Sequence, residues 1–119
     1  MRRFARSVRL AWSGIIYALR TERHMRIHIG MAAAALLLAA LLGLGTSEWA
    51  ILILLCALVL SLETVNTAIE KAVDLSSPEV HPLAKAAKDV AAGAVLIAAI
   101  AAVVIGCLLF GPPLLRLFS

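Results

Sequence analysis

The chain is poor in charged side chains. Only 15% of its 119 residues are Asp, Glu, Lys or Arg, whereas 63% are hydrophobic. Soluble domains carry about 25% charged residues, so this chain has too few to cover a surface that faces water. An ordinary soluble domain is therefore excluded, and a mean hydropathy of +1.02 places the chain in a membrane.

The chain has few cysteines and no common nucleotide-binding loop, which argues against disulfides, a cysteine metal site and a soluble nucleotide-binding domain. The two cysteines, Cys56 and Cys107, both lie within apolar stretches. That position is typical of small buried hydrophobic residues and not of a disulfide or a metal site. Neither a Walker-type GxxxxGK loop nor a GxGxxG fingerprint is present. Any enzyme must therefore be built from membrane helices, and we expect no nucleic-acid partner.

Three long stretches carry almost no charge: residues 29–47, 49–69 and 90–115, with Glu63 as the one charged residue among them. Each is long enough for a helix to cross a hydrocarbon core of roughly 30 Å at about 1.5 Å per residue. None shows the alternation of a β-strand. We expect one domain over residues 1–119, with membrane helices at 27–47, 49–75 and 82–110, the last stopped by Gly111-Pro112-Pro113.

The basic residues predict the orientation of these helices. Seven arginines precede the first apolar stretch, and Lys71, Lys85 and Lys88 lie around the second connection, so ten of the eleven basic residues share one side. By the positive-inside rule, the N-terminus and the second connection lie in the cytoplasm and the C-terminus lies outside. The expected location is the inner (plasma) membrane, crossed several times.

The first 24 residues predict a further helix that does not span the membrane. Apolar residues recur at helical spacing and arginines fall on the opposite side; the apolar set is Phe4, Val8, Trp12, Ile15 and Leu19. A basic amphipathic helix of this kind lies at the membrane surface, with its arginines toward anionic headgroups. The alternative is a simple anchor that fixes the topology.

A polar stripe follows the second membrane helix to its cytoplasmic end. Its members are Glu63, Asn66, Glu70 and Asp74, at positions i, i+3, i+7 and i+11, and so they share one face. Carboxylates in a membrane helix are costly unless they meet partners, so this face should line a cavity or another helix. A purely structural polar contact between helices is the alternative interpretation.

Carboxylates near a membrane surface can hold Mg²⁺ or accept a proton. Glu22, at the end of the surface helix, could bring a further carboxylate to the level of the stripe, and the nearby lysines would attract phosphate. The residue types that phosphoryl transfer requires are therefore all present on the predicted cytoplasmic side.

The same residues carry a resemblance to a known family. The stripe forms the pattern Glu63-x-x-Asn66-Thr-Ala-Ile-Glu70-x-x-Val73-Asp74, and His81-Pro-Leu-Ala-Lys-Ala-Ala-Lys88-Asp89 follows it. This combination resembles the prokaryotic diacylglycerol kinase and undecaprenol kinase family over nearly the whole chain. The resemblance implies an all-α membrane protein with three membrane helices and a surface helix, assembled as a homotrimer. It also implies phosphorylation of a lipid hydroxyl by ATP with Mg²⁺.

The resemblance also implies roles for individual residues. Glu63 matches the catalytic base, and Glu22 and Glu70 match the two metal-binding glutamates. Asn66 and Asp74 match further active-site positions. The residues that align with nucleotide contacts are Arg3, Glu79, His81, Lys88 and Asp89.

The lipid is predicted from the two connecting segments. Residues 21–28 and the loop 77–82 are more similar to the undecaprenol kinase branch, which predicts undecaprenyl phosphate as the product. Diacylglycerol, giving phosphatidic acid, is the alternative. A rival of another class is a small proton-coupled transporter that uses Glu63, and an assembly protein is a third possibility. His24 and His28 are interpreted as membrane-interface residues and not as metal ligands.

Overall fold

In a computed structural model, which describes all of residues 1–119, the chain is entirely helical. Its four helices are α1 (Arg2–Thr21), α2 (Arg23–Leu42), α3 (Thr46–Ser76) and α4 (Pro82–Leu117). The last three are long and apolar enough to cross a membrane. The predicted fold class, three membrane helices and an N-terminal amphipathic helix, is confirmed.

The boundaries of the elements differ from the predicted ones, most clearly in α4. This helix does not stop at Phe110 but continues through Pro112 and Pro113 to Leu117. The two prolines cannot donate backbone hydrogen bonds to the carbonyls of residues 108 and 109, but their fixed φ is close to the helical value. Leu109 and Phe110 pack into the core just before them, so tertiary packing holds the helix where its local sequence opposes it.

One end of the bundle, which we call the polar end, is formed by the first turns of α2, the last turns of α3 and the first turns of α4. With 31 and 36 residues, α3 and α4 are about 46 Å and about 54 Å long. Both exceed a hydrocarbon core of roughly 30 Å. The charged turns at the polar end therefore stand at or beyond the membrane surface.

The link between α2 and α3, at the opposite end, is a tight turn. Gly43 adopts a left-handed conformation, with φ of 67°. The N–H of Leu44 donates to the carbonyl of Ala39, and the N–H of Gly43 donates to the carbonyl of Ala40. This is a Schellman motif. Ala39 and Leu44 also belong to one buried cluster with Leu52 and Leu109, so the turn aligns α2 antiparallel to α3.

We expect Gly43→Ala to lower the free energy of unfolding by about 1 kcal/mol, because a side chain with a Cβ is strained at positive φ. Gly30→Ala is the matched control, since Gly30 lies inside α2, the helix that Gly43 ends, and an added Cβ would meet no atom within 4 Å. The control should be neutral or stabilising. Denaturant titration of both variants in detergent measures the difference, and equal stabilities would contradict the prediction.

The surface helix α1 packs against the bundle only through its last turns. Ala18 is buried, whereas Phe4 and Trp12 are exposed. At the junction, the guanidinium of Arg26 donates to the carbonyls of Leu19 and Arg20, at 3.1 and 3.0 Å. These bonds satisfy carbonyls at the C-terminus of α1 that lack helical partners. The first helix is thereby fixed to the start of the second at the polar end.

Candidate active site at the polar end

The polar stripe of α3 becomes more exposed along the helix. Glu63 and Asn66 are buried, Glu70 is half-buried, and the side chain of Asp74 is 57% exposed. Glu63 and Glu70 are seven residues apart, which corresponds to about 10 Å along the axis. The stripe therefore joins a carboxylate at membrane depth to one near water, the separation that its spacing predicts.

Glu63 meets a partner from α2. The Nδ1 atom of His28 lies 3.2 Å from the Oε2 atom of Glu63, and the two side chains are 18% and 4% exposed. One turn earlier on α2, the Sδ atom of Met25 lies 4.0 Å from the hydroxyl of Thr64. Among all charged and imidazole side chains of the chain, His28 is the only one that pairs with Glu63.

Asn66 and Glu70 form the next pair along the stripe. The amide nitrogen of Asn66 donates to Oε1 of Glu70 at 3.3 Å. The amide oxygen of Asn66 is buried and has no hydrogen-bond donor. A buried oxygen without a partner is costly, and it lies next to a carboxylate of the kind that hard cations prefer.

These residues fit a Mg²⁺ ion. The chain does not assemble three or more His, Cys, Asp or Glu side chains in a cluster able to hold a metal. However, Mg²⁺ is usually bound by one or two carboxylates together with substrate phosphates, so such a cluster is not required. The Glu70 carboxylate and the unpaired Asn66 oxygen are suitable donors.

Glu22 lies at the kink between α1 and α2, and the ammonium of Lys71 is 3.4 Å from its Oε1 atom. Since Lys71 directly follows Glu70, this contact places Glu22 at the level of the Glu70 turn. The two glutamates that match metal ligands are thus brought to the same end of the bundle, one from the junction of α1 and α2 and the other from α3.

A pocket of about 280 Å³ opens where α3 connects to α4. It contains five of the predicted site residues, Asp74, Glu79, His81, Lys88 and Asp89, together with Lys85. The Lys88 ammonium is 2.7 Å from an Asp74 oxygen, and Lys85 is 2.6 Å from Asp89. The predicted nucleotide residues of the second connection therefore share one polar pocket.

Hydrogen bonds fix the ring tautomer of His81 and the charge of Lys88. Nδ1 of His81 accepts the N–H of Leu83 at 3.0 Å and caps α4, so the neutral ring carries its proton on Nε2. Lys88 lies on the turns that precede the apolar stretch of α4. Its hydrogen bond to Asp74, and then the charge of that carboxylate, raise the pKa of Lys88. Its ammonium therefore stays charged and available to a phosphate.

Arg3 is not brought to this pocket. It lies in the exposed first turn of α1, and α1 makes no contact with α4. Within a single chain, Arg3 is therefore the one predicted nucleotide residue that lies apart from the others.

Sequence reasoning missed His28 and Lys85 as members of the site. A signal for His28 exists: Met25, His28, Ala35 and Ala39 follow at helical spacing on the face of α2 that the bundle covers. His24 is exposed, as the interface interpretation predicts. Lys85 could have been found as an i, i+4 partner of Asp89.

Comparison with known proteins decides the family. The sequence profile of the prokaryotic diacylglycerol kinases matches residues 9–110. The chain belongs to this family. It is 46% identical to the undecaprenol kinase of Bacillus subtilis over 114 residues, covering 96% of this chain and 93% of that protein.

Two diacylglycerol kinases of the family are also similar. That of Synechocystis is 51% identical over 112 residues, which are 93% of this chain but only 64% of the longer relative. That of Escherichia coli K12 is 34% identical over 107 residues, 90% of this chain and 88% of the relative. Membership in this family of lipid kinases confirms the enzyme class that the motif indicates, and it does not support the transporter alternative.

Proposed function

We propose that the protein transfers the γ-phosphoryl group of ATP to the hydroxyl of a membrane lipid, with Glu63 as the catalytic base. The observation that carries this proposal is the buried carboxylate of Glu63, which lies about two turns deeper than Glu70 on the same helix face. A lipid hydroxyl approaches from the membrane and a nucleotide from water. A stripe that extends between those depths suits a reaction between the two.

In the proposed reaction the lipid oxygen forms a bond to the γ-phosphorus. The bond from that phosphorus to the β–γ bridging oxygen breaks, and ADP leaves with the electron pair. The hydroxyl proton passes to Glu63. The residues of the pocket, Glu79, His81, Lys88 and Asp89, contact the nucleotide, and the fixed ammonium of Lys88 offsets charge on the transferred group.

We assign the metal site to Glu22 and Glu70, with the unpaired oxygen of Asn66 as a further donor. Bound there with the nucleotide, Mg²⁺ would neutralise charge on the phosphates. Asp74 acts through Lys88, whose ammonium it holds 2.7 Å away over the pocket. Arg3 reaches the nucleotide only if the surface helix or another copy of the chain approaches the pocket.

Undecaprenol is the proposed acceptor. The undecaprenol kinase of Bacillus subtilis aligns with this chain over 93% of its own length, and the residues of the two connecting segments predict the same branch. Diacylglycerol carries a hydroxyl of the same chemistry, and it is the second candidate because several relatives are named for it.

The substrate test is a direct competition. Protein in lipid vesicles is supplied with radiolabelled ATP, Mg²⁺ and equimolar undecaprenol and diacylglycerol. We expect label in undecaprenyl phosphate, with none formed when EDTA replaces Mg²⁺. Preferential label in phosphatidic acid would transfer the assignment to diacylglycerol, and the absence of label in both lipids would overturn the kinase proposal.

The arrangement in the membrane is part of the proposal. Ten of the eleven basic residues lie on α1 or at the polar end, so we place both, with the N-terminus, on the cytoplasmic side of the plasma membrane and the C-terminus outside. A homotrimer is proposed because the resemblance to the family implies one, and because small residues in membrane helices are typical of helix–helix interfaces. Gly93 and Gly106 of α4 are such residues, and within one chain no atom lies within 4 Å of their Cβ positions.

A further inference from the structure

We infer that His28 is a positioning residue for Glu63: its Nδ1–H holds one carboxylate oxygen, so that the other faces the lipid hydroxyl. This inference rests on the proposed function of Glu63 as the base. Its observation is the 3.2 Å contact between Nδ1 of His28 and Oε2 of Glu63, across the interface of α2 and α3.

Burial makes this contact important. The Glu63 side chain is only 4% exposed, and an ionised carboxylate at that depth is costly without a partner. No side chain donates a well-directed hydrogen bond to it, because the neighbouring hydroxyl of Thr67 donates to the Glu63 backbone carbonyl. His28 is the only side chain that pairs with the carboxylate. The imidazole is therefore the one group available to orient the carboxylate.

The surroundings of His28 favour the same role. The ring lies at the edge of an apolar groove formed by α2, α3 and α4, twelve of whose fourteen lining residues are hydrophobic. Few competing donors are present in such a groove. Met25 and Ala39, which lie on the same face of α2, are 2% and 0% exposed, so the helix that carries the ring is fixed against α3 on both sides of it.

The contact is at hydrogen-bond distance but is not yet well directed. Nδ1 of His28 is fully buried, and its N–H does not point along the line to the carboxylate. Catalytic hydrogen bonds are often poorly aligned before substrate binds and tighten in the complex. A small rotation of the ring completes the bond to Oε2 and leaves Oε1 to accept the substrate proton.

The activity test compares three variants with the wild type. His28→Ala should lower kcat roughly 10- to 100-fold, because misplacing a reacting group by about 1 Å can cost about 100-fold. The KM for MgATP should be unchanged. His28→Asn retains an N–H near the position of Nδ1 and should restore most of the loss. His24→Ala, four residues earlier and exposed, is the matched control and should behave as the wild type.

A spectroscopic readout separates positioning from simple packing. With ¹⁵N-labelled histidine, the His28 ring should carry its proton on Nδ1 in the wild type. It should shift toward Nε2–H in Glu63→Met, which removes both acceptor oxygens; the His24→Ala and His28→Asn spectra assign the signal. An unchanged kcat in His28→Ala, equal losses in the Ala and Asn variants, or a ring signal unaffected by Glu63→Met would each overturn the inference. A wild type that labels no lipid would instead overturn the proposed function.

Discussion

Glu63→Gln should lower the kcat of lipid phosphorylation by roughly 100- to 10,000-fold, the contribution typical of a general base. Glutamine keeps the size of the side chain but cannot accept the hydroxyl proton. The KM for MgATP should hardly change, because the residue lies at membrane depth, away from the pocket that holds Lys88 and His81. Steady-state kinetics with the preferred lipid measure both constants.

The matched control for this substitution is Glu48→Gln. Glu48 lies at the opposite end of the bundle, where its carboxylate accepts the N–H of Gly45 at 3.3 Å, a bond that a glutamine oxygen can also make. This variant should retain wild-type kcat. If Glu63→Gln retained it as well, Glu63 could not be the base, and the buried stripe would be a structural contact between helices.

Glu70→Gln should raise the Mg²⁺ concentration for half-maximal activity by about 10-fold or more, the size of effect seen when the surroundings of a bound metal are weakened. The change removes a negative charge beside the unpaired oxygen of Asn66 and leaves the amide of Asn66 an acceptor at position 70. A Mg²⁺ titration at saturating ATP gives the half-maximal concentration.

Two further variants serve as comparisons for the Mg²⁺ titration. Glu70→Asp keeps the charge and should lie between Gln and the wild type, whereas Glu48→Gln should leave the titration curve unchanged. If Glu70→Gln lowered kcat but left the curve in place, the carboxylate would not be a ligand, and its role would be confined to holding Asn66.

Much of the fold follows from the sequence because membrane helices are specified by length and hydropathy. An apolar stretch in lipid can satisfy its backbone hydrogen bonds within the segment only as a helix. Each of α2, α3 and α4 can therefore be predicted from its own stretch of sequence. The end of α4 is not. Gly111-Pro112-Pro113 would end a helix in water, but the packing of Leu109 and Phe110 into the core holds the segment helical.

Part of the candidate site could likewise be predicted from the sequence and part could not. The spacing of Glu63, Asn66 and Glu70 on one helix fixes their common face, because helical geometry is local. The contacts between helices are different in kind: that of His28 with Glu63 depends on how α2 docks on α3, and that of Lys88 with Asp74 on the turn between α3 and α4. Neither is a property of one segment, so periodicity alone identified the carboxylates but not the imidazole beside them.

The small interior of the chain has a consequence for any measurement of its stability. Only 12 of 119 residues are buried, and three of those are Glu63, Asn66 and Thr67. In lipid, the tails offer apolar side chains as good an environment as another helix does, so the contacts within one chain supply little of the total. The apparent denaturation midpoint should therefore vary with the protein-to-detergent ratio. Midpoints measured in different detergents should differ for the same reason.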